Sequence, residues 1–119
     1  GMQLLCRHSE ENDTGCLGVF DVDVKRFQSP VENLLKIPQI GWNNIAGLHS
    51  VMFEHVPKNT YMYFVHSYYA ALGADTVAIT NYVINYSAAL QKDNFYAVQF
   101  HPEKSAEGGA RIIENFLNL

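Results

Sequence analysis

The segment that most constrains the fold of this chain runs from residue 95 to residue 105. Phe95 to Phe100 is an apolar and aromatic run that predicts a buried strand. Pro102 ends that strand, because a proline has no N–H group to donate to a sheet ladder. Proline also restricts the residue before it, so His101 is expected in an extended conformation. The sequence therefore places a histidine at the point where a buried strand stops.

A carboxylate follows this histidine at a chemically useful spacing. Glu103, two residues after His101, can orient the imidazole ring and stabilise its charge. A base with an orienting carboxylate supplies two of the three members of a nucleophilic triad. Two alternatives stay open: a surface His-Pro-Glu loop after a buried strand, and a His-x-Glu zinc pair, which would need three or four ligands. No metal site is predicted, because the other histidines lack ligand spacing: His8, His49, His55 and His66.

Composition narrows the class of protein. The chain has 119 residues, which is enough for one domain with one core. A net charge of −4 without a basic cluster argues against nucleic acid as a partner. No stretch approaches the ~20 apolar residues that cross a bilayer, so no membrane contact is expected. The two cysteines, Cys6 and Cys16, form no disulfide framework, which predicts free thiols in a cytoplasmic protein.

Hydrophobic patterning predicts a strand-rich chain that ends in a helix. Further strands are predicted over 17–24, 61–66, 76–81 and 84–90, and a short strand or a bend over 40–45. A short helix is predicted over 1–7 and a polar loop over 8–15. Ser105 is the expected N-cap of the closing helix. An apolar stripe on that helix is expected to face the core; it consists of Ile112, Ile113, Phe116 and Leu117.

Four segments together resemble one protein family. Val98-Gln99-Phe100-His101-Pro102-Glu103-Lys104-Ser105 resembles the histidine–glutamate signature of class I, triad-type glutamine amidotransferases. Within that family, three further segments are similar to the glutaminase subunits of imidazole glycerol phosphate synthase, in the same order and spacing. These are Asp21-Val22-Asp23-Val24-Lys25-Arg26-Phe27, Pro38-Gln39-Ile40-Gly41-Trp42-Asn43 and Tyr63-Phe64-Val65-His66-Ser67-Tyr68. The resemblance covers the whole chain.

The resemblance implies an α/β fold. Residues 1–119 would be the C-terminal portion of a single glutamine amidotransferase domain, a flavodoxin-like sandwich whose first-half strands would precede Gly1. The family's nucleophilic cysteine would stand two positions before Gly1, so the chain is expected to be truncated and inactive alone. A half-domain exposes apolar faces and strand edges, which predicts a homo-oligomer of the chain.

The same resemblance implies an activity. The family hydrolyses glutamine to glutamate and ammonia, and these subunits pass the ammonia to imidazole glycerol phosphate synthase in histidine biosynthesis. His101 would be the catalytic base for a cysteine thiolate, and Glu103 would hold its tautomer. Gln3, Ser67 and Tyr68 would bind the glutamine substrate, although a solvated glutamine and an ordinary turn are the alternatives. No cofactor or metal is implied.

The partner implied by the resemblance is a (β/α)₈-barrel cyclase subunit. The residues expected to face it are Trp42, Asn43, Tyr63, His66 and Lys104. Trp42, Tyr63 and Lys104 are predicted to share one surface with His66. The alternatives are that Trp42 and His66 are core residues and that Lys104 is an ordinary surface charge.

Cys16 stands in a segment that imitates a nucleophile elbow. Thr14-Gly15-Cys16-Leu17-Gly18 contains Gly-x-Cys-x-Gly, but the residues after it have a strand pattern, and an elbow must open a helix. Cys16 is therefore expected to be structural, and Cys6 to be a buried filler. Three other function classes stay open: another class I glutamine amidotransferase, a non-catalytic interaction module, and a His/Glu metal protein.

Overall fold

The structure is a computed structural model, and it describes residues 2–11, 14–28 and 37–119. These residues form nine strands and one α-helix: β1 (His8–Ser9), β2 (Thr14–Gly15), β3 (Asp23–Arg26), β4 (Gln39–Asn44), β5 (Tyr61–His66), β6 (Tyr68–Ala70), β7 (Thr76–Tyr82), β8 (Ile84–Lys92), β9 (Phe95–Val98) and α1 (Ala106–Leu117). Three short 3₁₀ turns, Met2–Leu5, Val51–Phe53 and Pro102–Lys104, complete the described elements. The α/β class, strand-rich with a closing helix, is as predicted.

Two sheets share the strands. Seven of them form the main sheet in the order β2-β1-β3-β6-β8-β7, and β9 pairs with the C-terminal part of β8, on the edge opposite β7. The β1–β3 pair is parallel and the other described pairs are antiparallel. The separate two-stranded ribbon consists of β4 and β5, and a single bridge between Ala46 and Ile79 connects the end of the ribbon to β7.

The chain passes from the ribbon to the main sheet after β5 and back to the ribbon after β9. Strand β5 lies in the ribbon and β6 lies in the main sheet, so the chain crosses at Ser67. After β9, the N–H of Gln99 still donates to Ala88 of the main sheet over 2.8 Å, whereas the N–H of His101 donates to Tyr63 of the ribbon over 2.9 Å. His101 is therefore attached to the ribbon.

Strands with dense β-branched and aromatic content match the prediction closely. The strand over 61–66 has the predicted bounds, and those near 40–45, 76–81, 84–90 and 95–100 differ by a few residues at their ends. The predicted strand over 17–24 is wrong, since only Asp23–Arg26 is a strand. Leu17 instead donates to the carbonyl of Leu4 in the first turn, and Gly18 donates to the carbonyl of Cys6 just after that turn. Gly18 takes a φ of 72°, which breaks an extended run.

The N-terminal segment also differs from its prediction. The short helix is a 3₁₀ turn over Met2–Leu5, and Gly1 lies outside the described residues. The expected loop over 8–15 contains the short antiparallel pair β1–β2, while its residues 12–13 lie outside the described part. Strand β6 was not predicted, because three residues are too few to show a period.

The closing helix packs less deeply than predicted. Ile112 is buried, but Ile113, Phe116 and Leu117 are exposed, so the four-residue stripe does not face the core of the described residues. Ser105 precedes the helix without a side-chain capping bond. Gly109 lies so close to the turn at Pro102 that a Cβ there would overlap the Pro102 carbonyl oxygen. No helix in the described residues is long and apolar enough to cross a membrane.

Within residues 2–11, 14–28 and 37–119, two apolar clusters form the core. The larger lies between the ribbon, strands β7 and β8, and the closing helix, and it includes Phe27, Phe64, Tyr86, Phe100 and Ile112. The smaller lies under the N-terminal turn and includes Met2, Cys6, Phe20, Val24 and Leu90. Phe100 and the strand before it therefore lead from packed core to the surface at His101.

Candidate active site

The predicted histidine–glutamate pair occupies a tight turn after β9. His101 has an extended backbone, with φ −99° and ψ 95°, and Pro102 begins a 3₁₀ turn. The His101 carbonyl accepts the N–H of Lys104 over 3.0 Å, and the Pro102 carbonyl accepts that of Ser105 over 3.1 Å. This turn brings the residue 103 side chain back towards residue 101.

Glu103 orients the imidazole of His101. Nδ1 of His101 lies 2.9 Å from Oε1 of Glu103. A carboxylate oxygen only accepts, so Nδ1 carries the proton and the lone pair is on Nε2. Both side chains are about half exposed, so solvent screens their attraction and the bond's main effect is on tautomer and ring orientation. An imidazole in this state can take a proton at Nε2.

The pair borders the cavity in which the other candidate residues are found. The cavity has a volume of about 620 Å³. Its lining includes the side chains or backbone of His101, Glu103, Gln3, Gln99, His66 and Cys16. The opening between the N-terminal turn and the end of β9 is therefore the candidate active site.

Gln3 is fixed at this cavity by two hydrogen bonds. Its amide nitrogen donates to the carbonyl of Tyr68 and to Oε1 of Gln99, each over 2.9 Å. Both amide protons are thus used, and Oε1 of Gln3 keeps its accepting capacity. The alternative of a solvated terminal glutamine does not describe this side chain in the structure.

Ser67 and Tyr68 do not line the cavity, although Tyr68 is bonded to two residues that do, Gln3 and His66. The carbonyl of Ser67 accepts the N–H of Phe27 over 3.1 Å. The carbonyl of Tyr68 accepts from both Gln3 and Nδ1 of His66, the latter over 2.7 Å. These two carbonyls already have donors, so a role in substrate binding stays a prediction that concerns their other backbone groups.

His66 belongs to a buried polar network. Its Nδ1 donates to the Tyr68 carbonyl, which can only accept, and its Nε2 lies 2.9 Å from the Tyr86 hydroxyl and 3.1 Å from Oε1 of Gln39. The Tyr86 hydroxyl also lies 2.6 Å from that Gln39 oxygen. Burial lowers the pKa of His66 to about 4, against a smaller raising effect of the Tyr68 carbonyl and with a smaller lowering effect of His101. His66 is therefore neutral near pH 7.

The aromatic residues expected at a partner surface lie together on the outer face of the ribbon. Trp42 and Tyr63 are directly paired across β4 and β5, with ring centroids 6.0 Å apart in an edge-on arrangement. Trp42 is 53% exposed, which contradicts the core alternative for it. Asn43 donates its amide to the Asn81 carbonyl over 2.7 Å. Lys104 is exposed in the turn that follows His101.

The expectation that His66 shares this surface is wrong. Side chains alternate between the two faces of a strand, and in β5 the even-numbered residues 62, 64 and 66 are the buried ones. His66 thus lies on the face opposite Tyr63. A strand pattern read without its sheet does not show which face is buried.

Neither cysteine stands on a nucleophile elbow. Cys16 follows β2 and precedes irregular backbone, so no helix opens after it. Cys6 is fully buried, and burial raises the pKa of its thiol to about 11, with smaller raising effects of Cys16 and Asp23. Both are free thiols. In the described residues, no three His, Cys, Asp or Glu side chains are grouped as metal ligands.

Sequence reasoning missed three contributors to this site. Gln99 bonds Gln3, and Gln39 with Tyr86 completes the network of His66. Gln99 carried a usable signal, since it is a polar residue inside an otherwise apolar strand run. The partners of His66 are 20 and 27 residues away, so no local pattern indicates them.

Comparisons with known proteins identify the family of the chain. A family model described as glutamine amidotransferase class-I matches residues 1–119. The imidazole glycerol phosphate synthase subunit HisH of Bacteroides fragilis is 56% identical over 119 residues, and that of Bacteroides thetaiotaomicron is 53% identical. Each match covers all of this chain and 60% of the relative. The chain thus spans about three-fifths of the length of these curated relatives.

A solved structure shows the same fold. It is that of a Thermoplasma acidophilum protein provisionally described as part of a GMP synthase, with a TM-score of 0.63 and 22% sequence identity. The match covers 83% of this chain and 48% of that one. With the family model matching the full chain and relatives above half identity, this chain belongs to the class-I glutamine amidotransferase family.

Proposed function

We propose that this chain contributes the base, its orienting carboxylate and the partner surface of a glutaminase that supplies ammonia to imidazole glycerol phosphate synthase in histidine biosynthesis. The observation that carries the proposal is the hydrogen bond between Nδ1 of His101 and Glu103 beside a cavity that also holds Gln3. Names of relatives above 50% identity support the choice of this glutaminase among others in the family.

In this proposal a cysteine thiolate attacks the glutamine amide. His101 takes the thiol proton at Nε2 and gives it to the amide nitrogen as the C–N bond breaks and ammonia leaves, and a water molecule then hydrolyses the thioester to release glutamate. Glu103 keeps the proton on Nδ1 and stabilises the imidazolium. Gln3, already held by Gln99 and the Tyr68 carbonyl, presents Oε1 to the substrate. No cofactor takes part, and the two free cysteines fit a reducing, cytoplasmic location.

The partner surface in this proposal is the outer face of the ribbon. Trp42 and Tyr63 would contact a (β/α)₈-barrel cyclase, with Lys104 at the edge of the contact. Asn43 is paired with the buried Met62 and bonds the Asn81 carbonyl, so it would support this surface from the other face of β4. Exposed aromatic side chains anchor interfaces and exclude water from them, which a route for ammonia between two active sites requires. His66 lies behind this face and would influence the contact only through β5.

A chimaera tests the proposal. In the Bacteroides fragilis subunit, the matched 60% is replaced by residues 1–119 of this chain, and glutamine-dependent ammonia release is measured with the cyclase present. We expect activity near that of the unaltered relative, and a loss of at least about 10³-fold in His101→Asn. The 119 residues alone, incubated with glutamine, should release no ammonia above background. A folded but inactive chimaera would refute the catalytic proposal.

The interaction module is the second candidate, and the observation that favours it is the exposed Trp42 packed against the partly exposed Tyr63. If the chimaera binds the cyclase without hydrolysing glutamine, this candidate replaces the first.

A homo-oligomer of the chain also stays a proposal. It is supported by the exposed Phe116, Leu117 and Leu119, and light scattering that shows only monomer at high concentration would exclude it.

A further inference from the structure

The hydroxyl of Ser105 connects two segments around the candidate base. Its Oγ donates to the carbonyl of His101 over 2.6 Å and accepts the N–H of Tyr63 over 2.9 Å. Ser105 is 1% exposed, so water does not replace either bond. This hydroxyl was expected to cap a helix, and it is used instead to join a strand to a turn.

Tyr63 presents both of its backbone groups to this turn. Its N–H goes to Ser105, and its carbonyl accepts the N–H of His101 over 2.9 Å. Tyr63 is directly opposite Trp42 in the antiparallel ribbon. Tyr63 and Trp42 form a non-hydrogen-bonded pair, in which the backbone N–H and C=O groups point away from the other strand. The N–H and the carbonyl of Tyr63 can therefore bond residues outside the ribbon.

His101 is consequently held at both ends of its backbone by one residue. Its N–H binds Tyr63 directly, and its carbonyl binds Tyr63 through the hydroxyl of Ser105. The same carbonyl accepts the N–H of Lys104 and so closes the 3₁₀ turn that carries Glu103. The position of that carbonyl therefore sets the position of Glu103 relative to the imidazole.

We propose that Ser105 is a positioning residue that, through the His101 carbonyl, keeps the imidazole hydrogen-bonded to Glu103 at Nδ1 and its Nε2 unprotonated. The chemical use of that tautomer rests on the proposed glutaminase function, whereas the positioning itself does not. Which ring nitrogen of a histidine carries the proton is set by the hydrogen bond at the other nitrogen. Without the hydroxyl, the Tyr63 N–H loses its acceptor and the His101 carbonyl loses its shorter bond.

The test is a measurement of the His101 tautomer in the 119-residue chain, from the ¹⁵N chemical shifts of its two ring nitrogens at about pH 8. We expect the Nδ1–H form to predominate in the unaltered chain and its share to fall several-fold in Ser105→Ala. Ser87→Ala is the matched control, because Ser87 is equally buried and bonds Thr76 and Ala71 away from the site. It should lose comparable stability and leave the His101 shifts unchanged.

Two results would overturn the proposal. One is a folded Ser105→Ala chain with unchanged shifts, and the other is an equal change in Ser87→Ala, which would indicate general loosening. If Ser105→Ala does not fold, amide exchange in the unaltered chain decides instead. The Tyr63 N–H should exchange slowly, and exchange at the rate of an unfolded peptide would contradict its bond to Ser105. None of these readouts involves glutamine, so an inactive chimaera would leave them unaffected.

Discussion

The Nε2 atom of His66 lies 2.9 Å from the hydroxyl of Tyr86, and both side chains are buried. Burial lowers the pKa of the imidazole and raises that of the phenol, so both groups stay neutral across the physiological range. A buried polar network of this kind is stable only while each member keeps a partner. The network therefore makes the fold sensitive to acid.

The stability of the chain should fall between pH 6.5 and pH 4. The unfolded chain protonates His66 near its ordinary pKa of 6.5, whereas the folded chain does so only near 4. The free energy of unfolding is therefore fully retained above pH 6.5 and decreases towards pH 4, by up to about 3 kcal/mol. Urea unfolding across this range measures the loss.

The variant His66→Gln isolates the contribution of His66 to the pH dependence of stability. The variant should be less stable than the unaltered chain at pH 7, and the difference between the two should narrow as the pH falls towards 4. His55→Gln is the control, since the His55 side chain is 73% exposed. A stability difference for His66→Gln that does not change with pH would contradict the assignment.

Gly109→Ala should destabilise the chain by about 1–3 kcal/mol. A Cβ there would overlap the Pro102 carbonyl oxygen, and backbone in a closed turn cannot easily move aside. Gly108→Ala is the matched control in the same helix, because its Cβ would meet the side chains of Thr60 and Met62, and part of that strain is offset by the better helix propensity of alanine. Equal melting temperatures for the two variants would show that the turn at Pro102 shifts to make room for the Cβ at residue 109.

Alkylation should distinguish the two cysteines. With a pKa near 11, the Cys6 thiol is ionised only about one part in a thousand at pH 8, and it is also fully buried. Iodoacetamide should therefore label Cys16 alone in the folded chain and both cysteines in urea. Mass spectrometry of Cys16→Ser, which should remain unlabelled when folded, provides the control. Native labelling of Cys6 at the rate of Cys16 would contradict the burial of its thiol.

If the proposed complex forms, Trp42→Ala should weaken binding to the cyclase much more than it weakens the fold. Truncation of a central aromatic anchor costs about 2 kcal/mol or more of binding free energy, which corresponds to roughly 30-fold in Kd. Leu117→Ala removes another exposed apolar side chain, from the closing helix, and should leave the affinity unchanged. The affinities are measured by calorimetry with the chimaera. Equal affinities for the two variants would contradict the placement of the partner surface on the ribbon.

Local chemistry explains which features could be predicted from the sequence. Tyr61 to His66 is dense in aromatic and β-branched residues, and its strand has the predicted bounds. The His101–Glu103 bond was predictable because only Pro102 separates the two residues and the proline ring restricts the backbone between them. The run over 17–24 has a similar alternation, but its hydrogen-bonding partner is the first turn of the chain. Hydrogen bonds between these two distant segments cannot be read from a local sequence pattern.

Long-range contacts account for the rest. Gln3 and Gln99 are 96 residues apart in sequence and touch at the cavity. The buried face of β5 depends on which side of the ribbon the main sheet covers, so His66 was placed on the wrong face. Ser105 has the composition and position of an N-cap, yet two backbone groups across the turn compete successfully for its hydroxyl.

The crossing of the chain from one sheet to the other has a geometric consequence for the cavity. Gln99 is bonded to the main sheet and His101 to the ribbon, with Phe100 alone between them. Gln99 thus lies on the main-sheet side of the cavity and the base lies on the ribbon side. The distance between the glutamine amides and the imidazole therefore depends on how the ribbon packs against the main sheet.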